Sequence, residues 1–145
     1  MHSIEHGTYL SEETLNLMKQ KGTFFVPTMA IVRDLLEPGG DYDNPGLLIR
    51  ARHMYPRIRE TVANAKRLGV RIAGATDTSY DTRSVVRMQQ EVAELASAGL
   101  STMEAIQAAT SVSAQCLGVA NRTGSIRPGL EADLVVVERD PLRDL

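Results

Sequence analysis

Three short apolar runs, SIEH (3 to 6), TFFVPT (23 to 28) and VRIAGATD (70 to 77), are each followed by a stretch with helical periodicity. No feature constrains the fold more. Strands that alternate with helices run parallel, because a parallel neighbour is reached through a crossover and not through a two-residue turn. The expected class is therefore α/β, with parallel strands at 3–6, 23–26 and 70–76. Three strands do not close a barrel, so this set needs other strands beside it. Unpaired edges at 3–6 and 70–76 would otherwise invite association.

Ser11 is expected to cap a helix with Glu12 and Glu13 in its first turn, where carboxylates suit the helix dipole. Leu15, Leu17 and Met18 supply its apolar stripe and Gly22 its stop. Pro27 ends the pairing of the second strand. A helix over about 29–36 leads to EPGGDYDNPG (37 to 46), a loop dense in Gly, Pro, Asp and Asn and long enough to be a lid or binding loop. A long helix over about 47–68 follows on the period of Ile58, Val62, Ala65 and Leu68, with Pro56 able to kink or split it. The stretch 82–98 is again helical, with Val85, Met88, Val92, Leu95 and Ala96 on one face. Ser101 and Glu104 have capping-box spacing, and Met103, Ile106 and Ala109 line the next helix, which stops at Gly118. The tail changes character: Ser125–Ile126 and Leu134–Val137 read as two short strands around the turn RPGLEAD.

Composition narrows the functional classes. A chain of 145 residues with 43% hydrophobic and 23% charged content can bury a real core. The net charge of -2, with basic residues scattered among acids and apolar positions, argues against nucleic acid or an anionic membrane as partner. Apolar runs fall short of the ~20 residues that span a bilayer, and the N-terminus lacks signal-peptide character. The single cysteine, Cys116, excludes an internal disulfide and fits a reducing compartment, so a cytoplasmic setting is expected. Cys116 lies in an apolar helical run and reads as a structural thiol, not a nucleophile.

The chemistry-bearing candidates are His6 and Asp77, each at the C-terminal end of a parallel strand. That rim is where functional side chains gather in α/β folds. An imidazole and a carboxylate converging there suit a divalent metal, and the carboxylate suits proton transfer as well. Alternation along the strand places His2, Ile4 and His6 on one face, and Ala73, Ala75 and Asp77 on another. The competing assignments are a hydrogen-bonded structural histidine for His6 and a helix N-cap, ahead of Thr78 and Ser79, for Asp77. His2 and His53 are not read as ligands, and Glu5 reads as a structural acceptor.

SIEHGTYLSEETLNLMKQKGTFFVPT, AKRLGVRIAGATDTS and STMEAIQAATSVSAQCLGVANRTGSIRPGLEADLVVVERDPL together resemble the C-terminal portion of metal-dependent amidohydrolases. The likeness is to the branch of imidazolonepropionase-like proteins and Xaa-Pro dipeptidases. It implies strands six to eight of a (β/α)8 TIM barrel with their helices over 1–121, and part of a small composite β-sandwich over 122–145. It implies that His6 is a metal ligand and that Asp77 touches the metal and acts as the acid/base. The implied cofactor is one or two divalent ions, zinc being favoured. The implied reaction is hydrolysis of amide, peptide or cyclic amide C–N bonds by a metal-activated water. Pro27, Thr28 and the loop 37–46 fall where the family makes substrate contacts.

The family's first-strand His-x-His, its fourth-strand lysine or glutamate bridge and its fifth-strand histidine are not in this sequence. Lys19, Lys21 and Lys66 lie on helices or at a turn and do not read as that bridge. A full barrel takes ~250 residues, so the chain corresponds to the last third or so of such an enzyme. Two expectations follow. The chain is a portion of a C–N hydrolase acting on a small amide or dipeptide, or it is a non-catalytic remnant that folds by self-association or with a complementary N-terminal segment.

Overall fold

The structure is a computed structural model and describes residues 1–38, 44–77, 87–143 and 145. Residues 39–43 of the expected loop, 82–86 of the expected helix, and Thr78 and Ser79 lie outside the described residues.

Two parallel strands, β1 (Ser3–Glu5) and β2 (Phe24–Val26), pair in the register Ser3–Phe24, Ile4–Phe25 and Glu5–Val26. The expected third strand lies on the other side of β2. Phe25 N–H donates to Arg71 O at 2.8 Å, Ala73 N–H donates to Phe25 O at 2.9 Å, and Phe25 and Ile72 form a parallel bridge. β2 is thus central, and all three of its residues are buried.

Its alternation divides the interior. Phe25 faces a core with Leu15, Met18, Met29, Ile58, Val62 and Leu95. Phe24 and Val26 face the other way and pack with Ala73. Removing a ring as enclosed as that of Phe25 typically costs about 3–5 kcal/mol.

Between β1 and β2 runs α1 (Glu12–Lys21), capped by the Ser11 side chain on Thr14 N–H and ended by Gly22 at φ 64. Leu15 and Met18 are buried, but Leu17 is half exposed, which corrects its place in the stripe. It is two residues from Leu15, about 200° around the helix. After β2 come α2 (Met29–Asp34) and α3 (Pro45–Leu68). Asn44 caps α3 by accepting from Gly46 and Leu47, and Pro45 takes a first-turn position, where its missing N–H is harmless. Pro56 does not split α3, which runs unbroken to the left-handed Gly69.

α4 spans Met88–Ser97, and Ser101 and Glu104 form the expected reciprocal capping box at the head of α5 (Thr102–Gln107). A π-helical stretch, Ala108–Val112, joins α5 to α6 (Ser113–Cys116). The buried side of this run is Ala105, Ala108 and Ala114, while Met103 is exposed. Small residues win because the 70–76 segment lies against the helix backbone. Gly74 N–H donates to Ala108 O at 2.8 Å, and a Cβ on Gly74 would stand 3.3 Å from Ala109 Cα.

The tail departs from expectation. The turn at 127–133 forms: Leu130 N–H donates to Arg127 O, and Glu131 N–H returns to Arg122 O at 2.7 Å. Among the described residues, however, Ser125–Ile126 and Leu134–Val137 join no sheet. Residues 131–140 are exposed throughout. A strand exists through the hydrogen bonds of a neighbour, and no neighbouring ladder reaches this one here. No helix of the described residues is long and apolar enough to cross a membrane.

Candidate functional site

Each of the three parallel segments ends in the same unusual way. Among the described residues, the non-glycine positions with positive φ are His6 (61°), Thr28 (50°) and Asp77 (48°). They follow β1, β2 and the 70–76 segment on one rim. An L-residue in this left-handed region costs about 1–2 kcal/mol, and for β-branched Thr28 the conformation is rarer still. Strain of this kind persists where surrounding structure imposes it, and it clusters at functional sites.

The three side chains meet. His6 Nδ1 lies 2.6 Å from Thr28 Oγ1, and His6 Nε2 lies 3.7 Å from Asp77 Oδ2. The strand rule had put His6 on a face with His2 and Ile4, and that grouping does not hold. Ile4 packs in the Phe25 layer, whereas the His2 ring sits 5.3 Å from the Phe24 ring on the other side. Alternation applies only while the backbone stays extended, and His6 leaves that region at the rim.

His6 and Asp77 are both about half exposed. Their separation is beyond a hydrogen bond. It is close to the about 3.4 Å between two ligands set at a tetrahedral angle on a zinc ion with bonds of about 2.0–2.2 Å. An imidazole nitrogen and a carboxylate oxygen are the donors zinc accepts. The donor chemistry therefore fits, but the set is short. Among the described residues, no third His, Cys, Asp or Glu completes a metal-sized cluster.

The remaining sequence candidates have structural partners. His2 Nε2–H donates to Cys116 O at 2.7 Å. His53 is exposed on α3, with its ring 6.0 Å from that of Tyr9. Glu5 accepts from Ser3 Oγ at 2.5 Å. Burial, then the nearby Glu5 carboxylate, pushes the Cys116 thiol up, which disfavours the nucleophilic thiolate.

Behind the rim lies an arrangement the sequence reading missed. Thr28 is the N-cap of α2, yet its hydroxyl makes no bond to the helix. The fully buried Glu91, from α4, does that instead: its Oε2 accepts from Ala30 N–H at 2.7 Å. Burial pushes the Glu91 carboxyl up to about 7, against the opposing pull of the Ala30 and Met29 N–H groups. At the other end of α2, buried Asp34 pairs with Arg87, which precedes α4. Two contacts from the start of α4 thus hold the helix that begins at Thr28. The signal for Glu91 was its position, three after Met88 and four before Leu95, inside an apolar stripe.

One open cleft of about 210 Å3, lined by Lys66, Val70, Ile72, Leu100, Glu104 and Val112 among others, includes none of His6, Thr28 and Asp77. The candidate residues are at the rim, not in that cleft.

A model of the amidohydrolase family matches residues 1–145. The chain is 31% identical over 144 residues to ochratoxinase from Aspergillus niger, covering 99% of this chain and 29% of that protein. An uncharacterised protein of Mycobacterium tuberculosis is 34% identical over 145 residues, covering 95% of this chain and 36% of that one. A solved structure of a Xaa-Pro dipeptidase with methionine bound in its active site superposes with TM-score 0.84 at 33% identity, covering 99% of this chain and 36% of that one. The chain thus spans about a third of the length of the curated relatives it matches.

Proposed function

The chain belongs to the amidohydrolase family, and from that premise we propose that it is a portion of a metal-dependent hydrolase of C–N bonds. Amide, peptide and cyclic amide bonds of small molecules, dipeptides among them, are the substrate class. A Xaa-Pro dipeptidase and an ochratoxinase among its relatives support that class. In this reading β1, β2 and the 70–76 segment are strands six, seven and eight of a (β/α)8 barrel over 1–121, and 122–145 contributes to a small β-sandwich. The single cysteine accords with a cytoplasmic setting.

The observation that carries the proposal is the convergence of His6 Nε2 and Asp77 Oδ2 on one rim, 3.7 Å apart, from residues 71 positions apart in sequence (77 less 6). Their separation and chemistry suit two ligands of one divalent ion, zinc being favoured, with the further ligands supplied from outside these residues. Such an ion supplies polarisation of the scissile carbonyl and activation of water. Asp77 accepts at its carboxylate the proton the attacking water loses and returns it to the departing nitrogen. The product is a free acid and a free amine. Half exposure leaves both groups open to a substrate entering from the rim.

A second reading, a non-catalytic remnant that survives by self-association or with a complementary segment, is favoured by the exposed run Leu134–Val137. Metal content of the purified chain, measured with its mass in solution, separates the two. A stoichiometric transition metal that is lost in His6→Ala or Asp77→Ala supports the hydrolase portion. A protein that stays metal-free even with a complementary N-terminal segment added, and whose fold is indifferent to both substitutions, overturns it in favour of the remnant.

A further inference from the structure

The Thr28 hydroxyl is buried and held between two oxygen- and nitrogen-bearing neighbours. Oγ1 lies 2.7 Å from the carbonyl oxygen of Pro27 and 2.6 Å from His6 Nδ1. A carbonyl only accepts, and a hydroxyl has one hydrogen. That hydrogen goes to Pro27 O, since two bare oxygens at this distance repel. The contact with His6 is then satisfied only if Nδ1 carries a proton and donates it to Oγ1. In the neutral ring Nε2 is left with its lone pair, and Nε2 is the atom that faces Asp77.

We propose that Thr28 is a positioning residue that fixes His6 as its Nδ1–H tautomer and so presents bare Nε2 to the rim beside Asp77. Two further observations support this. A threonine at an N-cap ordinarily spends its oxygen on the first turn of its helix. Here the hydroxyl makes no such bond, and Glu91 takes over the N–H of Ala30. Thr28 also sits at φ 50, a conformation its branched side chain disfavours. Releasing the hydroxyl from capping and turning the backbone both serve the contact with His6. The consequence for metal affinity rests on the reading of His6 as a ligand, whereas the tautomer does not.

The test is nitrogen-15 NMR of the metal-free chain labelled at histidine, above the histidine titration range, with the His6 signals assigned by their loss in His6→Gln. The wild type should show a protonated Nδ1 and a bare Nε2. Thr28→Ser, which keeps the hydroxyl, should preserve that pattern. Thr28→Val, which removes it, should shift His6 toward Nε2–H. Zinc titrated by calorimetry should then bind about 10–100-fold more weakly to Thr28→Val than to wild type, with Thr28→Ser near wild type. A wild-type ring protonated at Nε2, or a Thr28→Val pattern equal to wild type, overturns the proposal. If Thr28→Val fails to fold, Thr28→Ala, which also lacks the hydroxyl, takes its place in the same comparison. An Nδ1–H ring that shifts toward Nε2–H in Thr28→Val, in a chain that takes no zinc alone or with a complementary N-terminal segment, supports the role of Thr28 and overturns the metal reading of His6. Zinc bound through His6 in a chain whose free ring is Nε2–H does the reverse.

Discussion

Phe24–Val26 and Leu134–Val137 have nearly the same local character: each is a short unbroken run of apolar residues, most of them strong strand formers. The first lies between two parallel neighbours with every residue buried. The second is exposed along its whole length, Val136 at 95%, and joins no sheet among the described residues. Helices before and after Phe24–Val26 bring β1 and the 70–76 segment to its sides. The tail has a well-made turn before it, with Arg122 and Glu131 paired at 2.8 Å, but the turn returns to no waiting edge. β-propensity describes how well a residue fits a half-built sheet, and it does not supply the sheet.

Substitutions turn this contrast into numbers. Phe25→Ala should lower unfolding free energy by about 3–5 kcal/mol, measured by urea denaturation, because it opens a cavity in the central layer. If it proves no worse than a change in the tail, burial is not what separates the two runs.

An intermediate effect is expected at α2, where a local element is again completed by a remote partner. The Glu91 carboxyl is raised from 4.5 to about 7 in the folded chain by burial. The folded state therefore holds that proton more tightly than the unfolded state does. Its contribution is complete below about pH 4.5 and is lost as pH rises toward 7, by at most about 3 kcal/mol. Denaturation midpoints should fall across that window in the wild type and flatten in Glu91→Gln. An unchanged pH slope in the variant would show that Glu91 is not the group responsible.

The smallest effect belongs to the tail. Val136→Ser should change stability by no more than about 0.5 kcal/mol, since an exposed side chain has no packing to lose. The same variant should reduce any concentration-dependent association seen by light scattering, because the exposed apolar run is the surface it alters. A large loss of stability would mean that Leu134–Val137 is packed in solution.

The sequence carried most of the skeleton on its own. The caps at Ser11 and Ser101 and the stop at Gly22 are local matters, decided by side chains within a turn of the backbone they satisfy, and the parallel sense of the first three runs followed from the helices between them. The rim position of His6 and Asp77 was legible because each directly follows an apolar run, and in parallel folds that is the open rim. The tertiary structure alone decided the rest. Leu17 and Met103 were placed on apolar helix stripes but face out, because the opposing surface selects which stripe is covered. Glu91 and Asp34 drew no assignment from the sequence, yet they hold both ends of α2 from inside. The link between Thr28 and His6 spans 22 residues, and only the left-handed turn of both residues brings the two side chains together. Short-range hydrogen bonds and periodicity are written in neighbouring residues. Which faces meet, and which proton a ring keeps, depends on partners that the chain supplies only once it has folded.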